Sequence, residues 1–281
     1  MSTFVILVIL GSALFHATWN AIIKGGTDKL FETVMKTSGG GIVVACILPF
    51  LPPPHPSSWP YLAATATIHL FYYLFMAYAY KGADLSYAYP IMRGSSPLLV
   101  ALVSVFFLSK PLTAGGWAGV ALLSAGILTL AADSIRRGSF SLSATLFAVG
   151  NAFVIMGYTL VDGTGVRLAG DTLSYTCWVF FLNAFPILAF AVAARGPAYF
   201  HYARQRWQYG LVGGTCSLIA YGLSLWGMSR APVSLVAALR ESSVVFGVLL
   251  GVFFLKEKIT FARGAAVLLV IAGISAIKLW G

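Results

Sequence analysis

The sequence predicts an all-α integral membrane protein whose ten transmembrane helices form two inverted-topology repeats of five helices each. Three observations predict this fold: an apolar composition, apolar runs of membrane-spanning length, and a second half that repeats the first. Of 281 residues, 59% are hydrophobic and only 9% are charged. Soluble domains have about a quarter charged residues, so the composition excludes a soluble globular protein.

Ten apolar windows have the length of a membrane span, which needs about 20 residues in a helix. They cover residues 3–23, 33–52, 59–80, 86–108, 113–132, 140–161, 172–194, 207–229, 233–255 and 261–280. These lengths favour helices over the roughly ten-residue strands of an outer-membrane barrel. The connections between them are short, which leaves no room for a soluble domain.

The chain repeats itself at an offset of 147 residues. Arg93-Gly94-Ser95-Ser96 returns as Arg240-Glu241-Ser242-Ser243, and 15 of the 36 positions in 93–128 are identical to their copies. Further upstream the offset is 148, and it pairs Tyr73 with Tyr221 and Tyr78 with Trp226.

The repeat divides the chain into residues 1–138 and 139–281, with five spans in each half. Because five is odd, the two halves cross the membrane in opposite directions, which is an inverted-topology repeat.

The loop cations predict the orientation of the chain in the membrane. A cytoplasmic N-terminus would place twelve Lys and Arg residues outside the cytoplasm, Lys36 among them, and four inside. Those four are Lys110, Arg167, Arg230 and Lys278. Cytoplasmic loops are the basic ones, so we expect both termini outside the cytoplasm, in a multi-pass protein of the plasma (bacterial inner) membrane.

Several function classes lack their motifs in this sequence. Cys46, Cys177 and Cys216 are isolated, and there is no CxxC, HExxH or phosphate-loop pattern. The basic residues fall singly between apolar runs, which does not fit nucleic-acid binding. The sequence therefore predicts no metal, no cofactor and no catalytic residues, and anionic lipid headgroups are the expected partners of the loop cations.

Local motifs identify a family resemblance that covers both halves of the chain. In the first half they are Lys81-Gly82-Ala83-Asp84-Leu85-Ser86, Phe106-Phe107-Leu108 with Thr113, and Ala125-Gly126-Ile127. In the second half they are Ala231-Pro232-Val233-Ser234 and Phe253-Phe254-Leu255-Lys256-Glu257. The pattern resembles the EamA domain of the drug/metabolite transporter superfamily. This resemblance implies a ten-helix secondary carrier with a central cavity for a small metabolite, and it favours export as the direction.

Charged residues inside a span are costly and mark candidate sites. Arg93 and its copy Arg240 each lie eight residues into a span, and Glu241 is the only acid that we place well inside one. Neighbouring residues on a helix do not face each other, so Glu241 is expected to reach Arg93 and to leave Arg240 for a carboxylate or phosphate. A purely structural ion pair is the alternative. Pro90 and Pro97 predict a kink in the fourth span.

Aromatic and polar residues complete the predicted site. Tyr73, Tyr78, Tyr221 and Trp226 are expected to line one central cavity, because the repeat pairs them. His69 shares a helix face with Tyr73. In the first span, Trp19 and Asn20 are weaker candidates, because an intramembrane Asn more often bonds a neighbouring helix.

The predicted function is secondary-active transport of an amino acid-like zwitterion or a small organic anion by alternating access. The alternatives are an intramembrane lipid-modifying enzyme, a lipid-carrier flippase, or a channel. Coupling to protons would need a titrating group, for which His69, His16 and Glu241 are candidates. A monomer and a homodimer both stay open.

Overall fold

Every regular element in the computed structural model is a helix; the structure describes residues 1–83, 85–255 and 260–281. The helices are α1 (Thr3–Gly25), α2 (Lys29–Ile47), α3 (Trp59–Gly82), α4 (Leu85–Phe106), α5 (Ala114–Arg136), α6 (Leu142–Leu168), α7 (Thr172–Arg195), α8 (Pro197–Arg230), α9 (Val233–Arg240), α10 (Ser243–Leu255) and α11 (Phe261–Trp280). Two short 3₁₀ turns, Leu48–Phe50 and Pro56–Ser58, connect α2 to α3. Within the described ranges, ten segments are long and apolar enough to span a membrane. The motif residues Asp84, Lys256 and Glu257 lie outside the described residues.

Two helix boundaries differ from the predicted spans in ways that matter for the site. Helix α2 begins at Lys29, so the prediction that Lys36 is a loop cation is wrong. Helix α6 continues to Leu168 and stops before Gly170, whose φ of 77° ends it. Asp162 therefore lies inside a span, and Glu241 is not the only acid there.

The contact between α5 and α11 shows the inverted repeat directly. A Cβ atom built on Gly119 would lie 2.9 Å from the carbonyl oxygen of Gly273, and one built on Gly126 would lie 2.9 Å from that of Ala266. The repeat offset pairs Gly119 with Ala266 and Gly126 with Gly273. Each contact is thus the image of the other, as a twofold relation requires. The closing helices of the two halves meet on a pseudo-twofold axis.

This close approach makes a prediction about stability. Gly119→Ala should lower the free energy of unfolding by about 1–3 kcal/mol, because the new methyl group would overlap Ile277 and the Gly273 carbonyl. Gly157→Ala is the matched control, since nothing lies within 4 Å of the position that its Cβ would occupy. Melting of the two purified variants in detergent measures the difference, and equal melting temperatures would contradict close packing at Gly119.

The break in the pseudo-symmetry lies in the ninth span, not in the fourth. Helix α4 is one helix with Pro90 and Pro97 inside it, whereas the ninth span divides into α9 and α10 around Glu241 and Ser242. The amides of Glu241 and Ser242 bond to the carbonyls of Ala238 and Leu239, both at 3.0 Å, so the turn tightens to three-residue spacing. The helix break that distinguishes the two spans is therefore in the ninth, whereas the kink expected at Pro90 and Pro97 stays a prediction. The discontinuity occurs at an acid whose repeat mate is the glycine Gly94.

Candidate functional site

A cavity of about 100 Å³ lies between the two halves of the chain. It is lined by eight helices, and its walls are His16, Trp19, Lys36, Thr37, His69, Tyr72, Tyr73, Arg93, Tyr158, Val179, Phe180, Asn183, Ser217, Ala220, Tyr221 and Arg240. The repeat offset of 148 relates three residues of α3 to three of α8, namely His69 to Ser217, Tyr72 to Ala220 and Tyr73 to Tyr221. Equivalent faces of the two halves thus both line the cavity.

The fourth and ninth spans meet in a buried ion pair beside the cavity. Arg93 donates from Nε to Oε2 of Glu241 at 2.9 Å, and its Nη2 lies 2.7 Å from Oε1. Side-chain exposure is 5% for Arg93 and 1% for Glu241. This two-point pairing is the one that the helix geometry predicts, and it joins the first half of the chain to the second.

Arg240 is placed differently from its repeat mate. Its Nε lies 3.8 Å from Oε1 of Glu241, beyond hydrogen-bond distance, and it is buried with no hydrogen-bond partner in the described part of the chain. Helix α9 ends at Arg240, so the turn that follows directs Glu241 toward α4. The Arg240 side chain lines the cavity, and its buried Nε has no acceptor among the described residues.

Lys36 supplies a third cation to the cavity wall. Its Nζ lies 4.6 Å from the ring centroid of Trp19, a cation–π contact, and it forms no ion pair among the described residues. The Trp19 ring also meets His16 edge to face, with 4.8 Å between centroids. Trp19 therefore orients two basic side chains of the cavity.

Aromatic side chains form the remaining wall. The rings of His69 and Tyr158 stack with centroids 4.6 Å apart and planes inclined by 28°. Nδ1 of His69 lies 2.8 Å from the carbonyl oxygen of Thr65, and Tyr73 shares a hydrogen bond of 3.4 Å with Thr37. These bonds hold the rings in fixed positions, so the wall offers an apolar surface with hydroxyl groups at its edge.

Behind this wall lies the carboxylate of Asp162, which is fully buried. Thr65 donates to Oδ2 and Tyr175 to Oδ1, both at 3.0 Å, and Tyr221 also donates to Oδ2. Asp162 forms no ion pair among the described residues, so three hydroxyl groups from α3, α7 and α8 satisfy it. Because Tyr221 also lines the cavity, Asp162 fixes the orientation of a cavity residue.

Removing the Asp162 carboxylate should destabilise the protein. Asp162→Ala would leave three buried hydroxyls without their acceptor, and we expect a loss of about 2–3 kcal/mol in the free energy of unfolding. Asp133→Ala is the control, because Asp133 forms only a partly exposed pair with Arg137 at 2.7 Å; its loss should stay below about 1 kcal/mol. Chemical denaturation of both variants tests this, and similar losses would mean that the Asp162 network adds little.

Besides Glu241, which lies beside the cavity in its pair with Arg93, three predicted residues do not reach the cavity. Tyr78 is 52% exposed and stacks on Phe147, while Trp226 packs edge to face against Phe4. Asn20 donates to the carbonyl oxygen of His16 in its own helix at 2.8 Å. Tyr78 and Trp226 each lie five residues after a cavity tyrosine, about 140° further around the helix. The expectation that Tyr78 and Trp226 line the cavity is therefore wrong. The reason, their rotation around the helix away from the cavity tyrosine, is the same in both halves.

Sequence patterns could have located two residues that the predicted site lacks. Lys36 follows an acidic first turn at Glu32, which is a helix-start signal. Ala169-Gly170 is a stop signal that would have extended the sixth span past Asp162. Glu32 is itself buried, where it accepts hydrogen bonds from Tyr202 at 2.8 Å and Arg206 at 2.5 Å and so links α2 to α8.

The site offers ion pairing and aromatic packing. Among the described residues, no group of three His, Cys, Asp or Glu side chains could hold a metal ion. Two cations and several hydroxyl groups remain available to a molecule inside the cavity.

Comparisons with known proteins relate this architecture to a family. The model of the EamA-like transporter family matches residues 3–132 and 142–279. A crystal structure with 20% sequence identity aligns with a TM-score of 0.74 and covers 99% of this chain and 98% of its own. At that identity the likeness concerns the fold. The search of curated proteins finds no match.

Proposed function

Because the chain belongs to the EamA-like transporter family, we propose that it is a secondary carrier for an amino acid-like zwitterion or a small organic anion. The observation that carries the proposal is the cavity between the two halves, where the Nε of Arg240 is buried without a hydrogen-bond partner in the described chain. A guanidinium group binds carboxylate and phosphate through paired hydrogen bonds. The substrate's acidic group binds Arg240, and its remaining atoms pack on the aromatic wall.

Alternating access follows from how the two halves are joined. The Arg93–Glu241 pair and the α5–α11 contact connect the halves near the pseudo-twofold axis. The tight turn between α9 and α10 lies beside Arg240, where a change of a few backbone angles can follow substrate binding. One half then tilts against the other around the cavity.

Transport is tested with purified protein in proteoliposomes. A thermal-shift screen of amino acids, phosphonates, sugar phosphates and organic cations selects the substrate. Counterflow of that labelled compound then separates a carrier, which shows trans-stimulation, from a channel, which does not. An imposed pH gradient tests proton coupling, for which the cavity residues His16 and His69 are candidates, and loaded vesicles test export. Uptake without trans-stimulation would contradict the proposal.

The lipid-modifying enzyme and the flippase are not favoured. The family is one of transporters, and a cavity of about 100 Å³ is much smaller than a lipid.

We place the carrier in the plasma membrane, the inner membrane in a bacterium, with both termini outside the cytoplasm. A reporter that is active only in the cytoplasm should be silent when fused after Gly281. It should be active when inserted after Gly138, in the connection between α5 and α6. The two fusions are matched controls for each other. The opposite result would mean that both termini lie in the cytoplasm.

A further inference from the structure

The charges around the cavity do not balance. Lys36, Arg93 and Arg240 line it, and Glu241 neutralises Arg93 through a two-point ion pair. Asp162, the other acid near this wall, is turned toward three hydroxyl groups behind Tyr221. Neither Lys36 nor Arg240 therefore has a carboxylate at hydrogen-bond distance within the described part of the chain, although Oε1 of Glu241 lies 3.8 Å from the Nε of Arg240.

These two cations come from opposite halves of the chain. Lys36 belongs to α2, and its Nζ lies 4.6 Å from the centroid of the Trp19 ring without an ion pair among the described residues. Arg240 ends α9, and its buried Nε makes no hydrogen bond to the described residues. A molecule that binds both side chains would bridge the first half to the second.

An occluded cavity makes an uncompensated cation costly. When the halves close and exclude water, each buried charge needs an opposite charge nearby. A monoanion at Arg240 would leave Lys36 without a negatively charged partner. A ligand with two negative charges compensates both cations at once.

We propose that the cavity is built for a small dianion, with one negative group at Arg240 and the other at Lys36. This inference rests on the proposed function and narrows its substrate class to compounds that carry two negative charges in a small volume. A phosphate or phosphonate group and a short dicarboxylate share that chemistry, and the cavity of about 100 Å³ limits the size of either.

The test compares ligands that differ in charge and hardly in shape. Methylphosphonate, at a pH that gives it two charges, is paired with monoanionic methanesulfonate, and malonate is paired with its monoamide. Thermal shift and titration calorimetry on the purified full-length protein give the affinities. We expect each dianion to bind at least about tenfold more tightly than its partner, which corresponds to about 1.4 kcal/mol. Comparing the phosphonate pair with the dicarboxylate pair shows which of the two classes of dianion the cavity binds.

Three variants assign the charges to residues. Lys36→Gln should reduce the preference for dianions to near unity while monoanions still bind, and Arg240→Gln should weaken all four ligands. Lys110→Gln removes an exposed cation on the α4–α5 connection and should change nothing. Circular dichroism and melting confirm that each variant is folded.

The outcomes separate this inference from the proposed function. Equal wild-type affinity for both members of each pair, with binding still dependent on Arg240, would overturn the dianion and leave the anion carrier intact. A dianion preference that survives in Lys36→Gln would also overturn it. Binding of none of the four ligands would contradict the dianion and the anion site alike.

Discussion

Replacing Arg240 with alanine is expected to abolish transport while the protein still folds. Truncating one partner of a buried charge pair costs about 2–5 kcal/mol of binding, which is more than a tenfold loss of affinity. Folding should be insensitive, because the Nε of Arg240 has no hydrogen-bond partner in the described chain and its nearest carboxylate oxygen is 3.8 Å away. Arg240→Ala therefore removes an N–H donor that has no acceptor among the described residues.

Arg240→Lys distinguishes charge from geometry at the same position. An ammonium group restores the charge without the planar fork of a guanidinium, so this variant should recover only part of the activity. Arg136→Ala, which removes an exposed arginine at the end of α5, is the matched control. Uptake per folded molecule and melting temperature are measured for all three. Normal uptake by Arg240→Ala would show that Arg240 is structural.

The spans and their repeat could be predicted from sequence because both depend on local hydrophobicity and chain length. Membrane insertion requires about 20 apolar residues for a span, and the offset that pairs Arg93 with Arg240 is visible in the residues themselves. The pairing of Glu241 with Arg93 followed from helix geometry alone. These features need no knowledge of how the helices pack.

The cavity could be predicted only in part, because its lining depends on the rotation of each helix and on where each helix ends. Tyr73 and Tyr221 reach it, whereas Tyr78 and Trp226 point elsewhere, although the same repeat pairs them. The repeat identifies two residues as equivalent, but it does not determine which way their side chains point. Asp162 was missed because the predicted sixth span stops at residue 161, and Lys36 was missed because a cation close to the start of its predicted span was counted with the loop.

The position of the helix break depends on packing between the two halves. Two prolines lie in the fourth span, yet α4 is continuous through them and it is the ninth span that contains the turn. At that turn, Glu241 reaches across to Arg93. The break is thus coupled to a contact between residues 148 positions apart. The local helix propensity of either segment does not indicate such a contact.

Breaking the Arg93–Glu241 pair should cost more stability than any other substitution proposed for this chain. Arg93→Met leaves Glu241 buried at 1% exposure without its two-point partner, and Glu241→Met leaves Arg93 in the same state. Removing one member of a buried pair costs about 3–5 kcal/mol, so both single variants should give little folded protein.

The double variant Arg93→Met, Glu241→Met should recover most of that loss, because neither charge is then left alone in the interior. The two single losses would therefore be strongly non-additive, with a coupling larger than about 3 kcal/mol. Expression yield and melting temperature of the wild type, both single variants and the double variant complete the cycle. Additive losses would show that the two side chains act on stability independently, and the pair would then not hold the halves together. If the double variant folds and still performs counterflow, Arg93 serves stability alone and Arg240 and Lys36 remain as the cations available to the substrate.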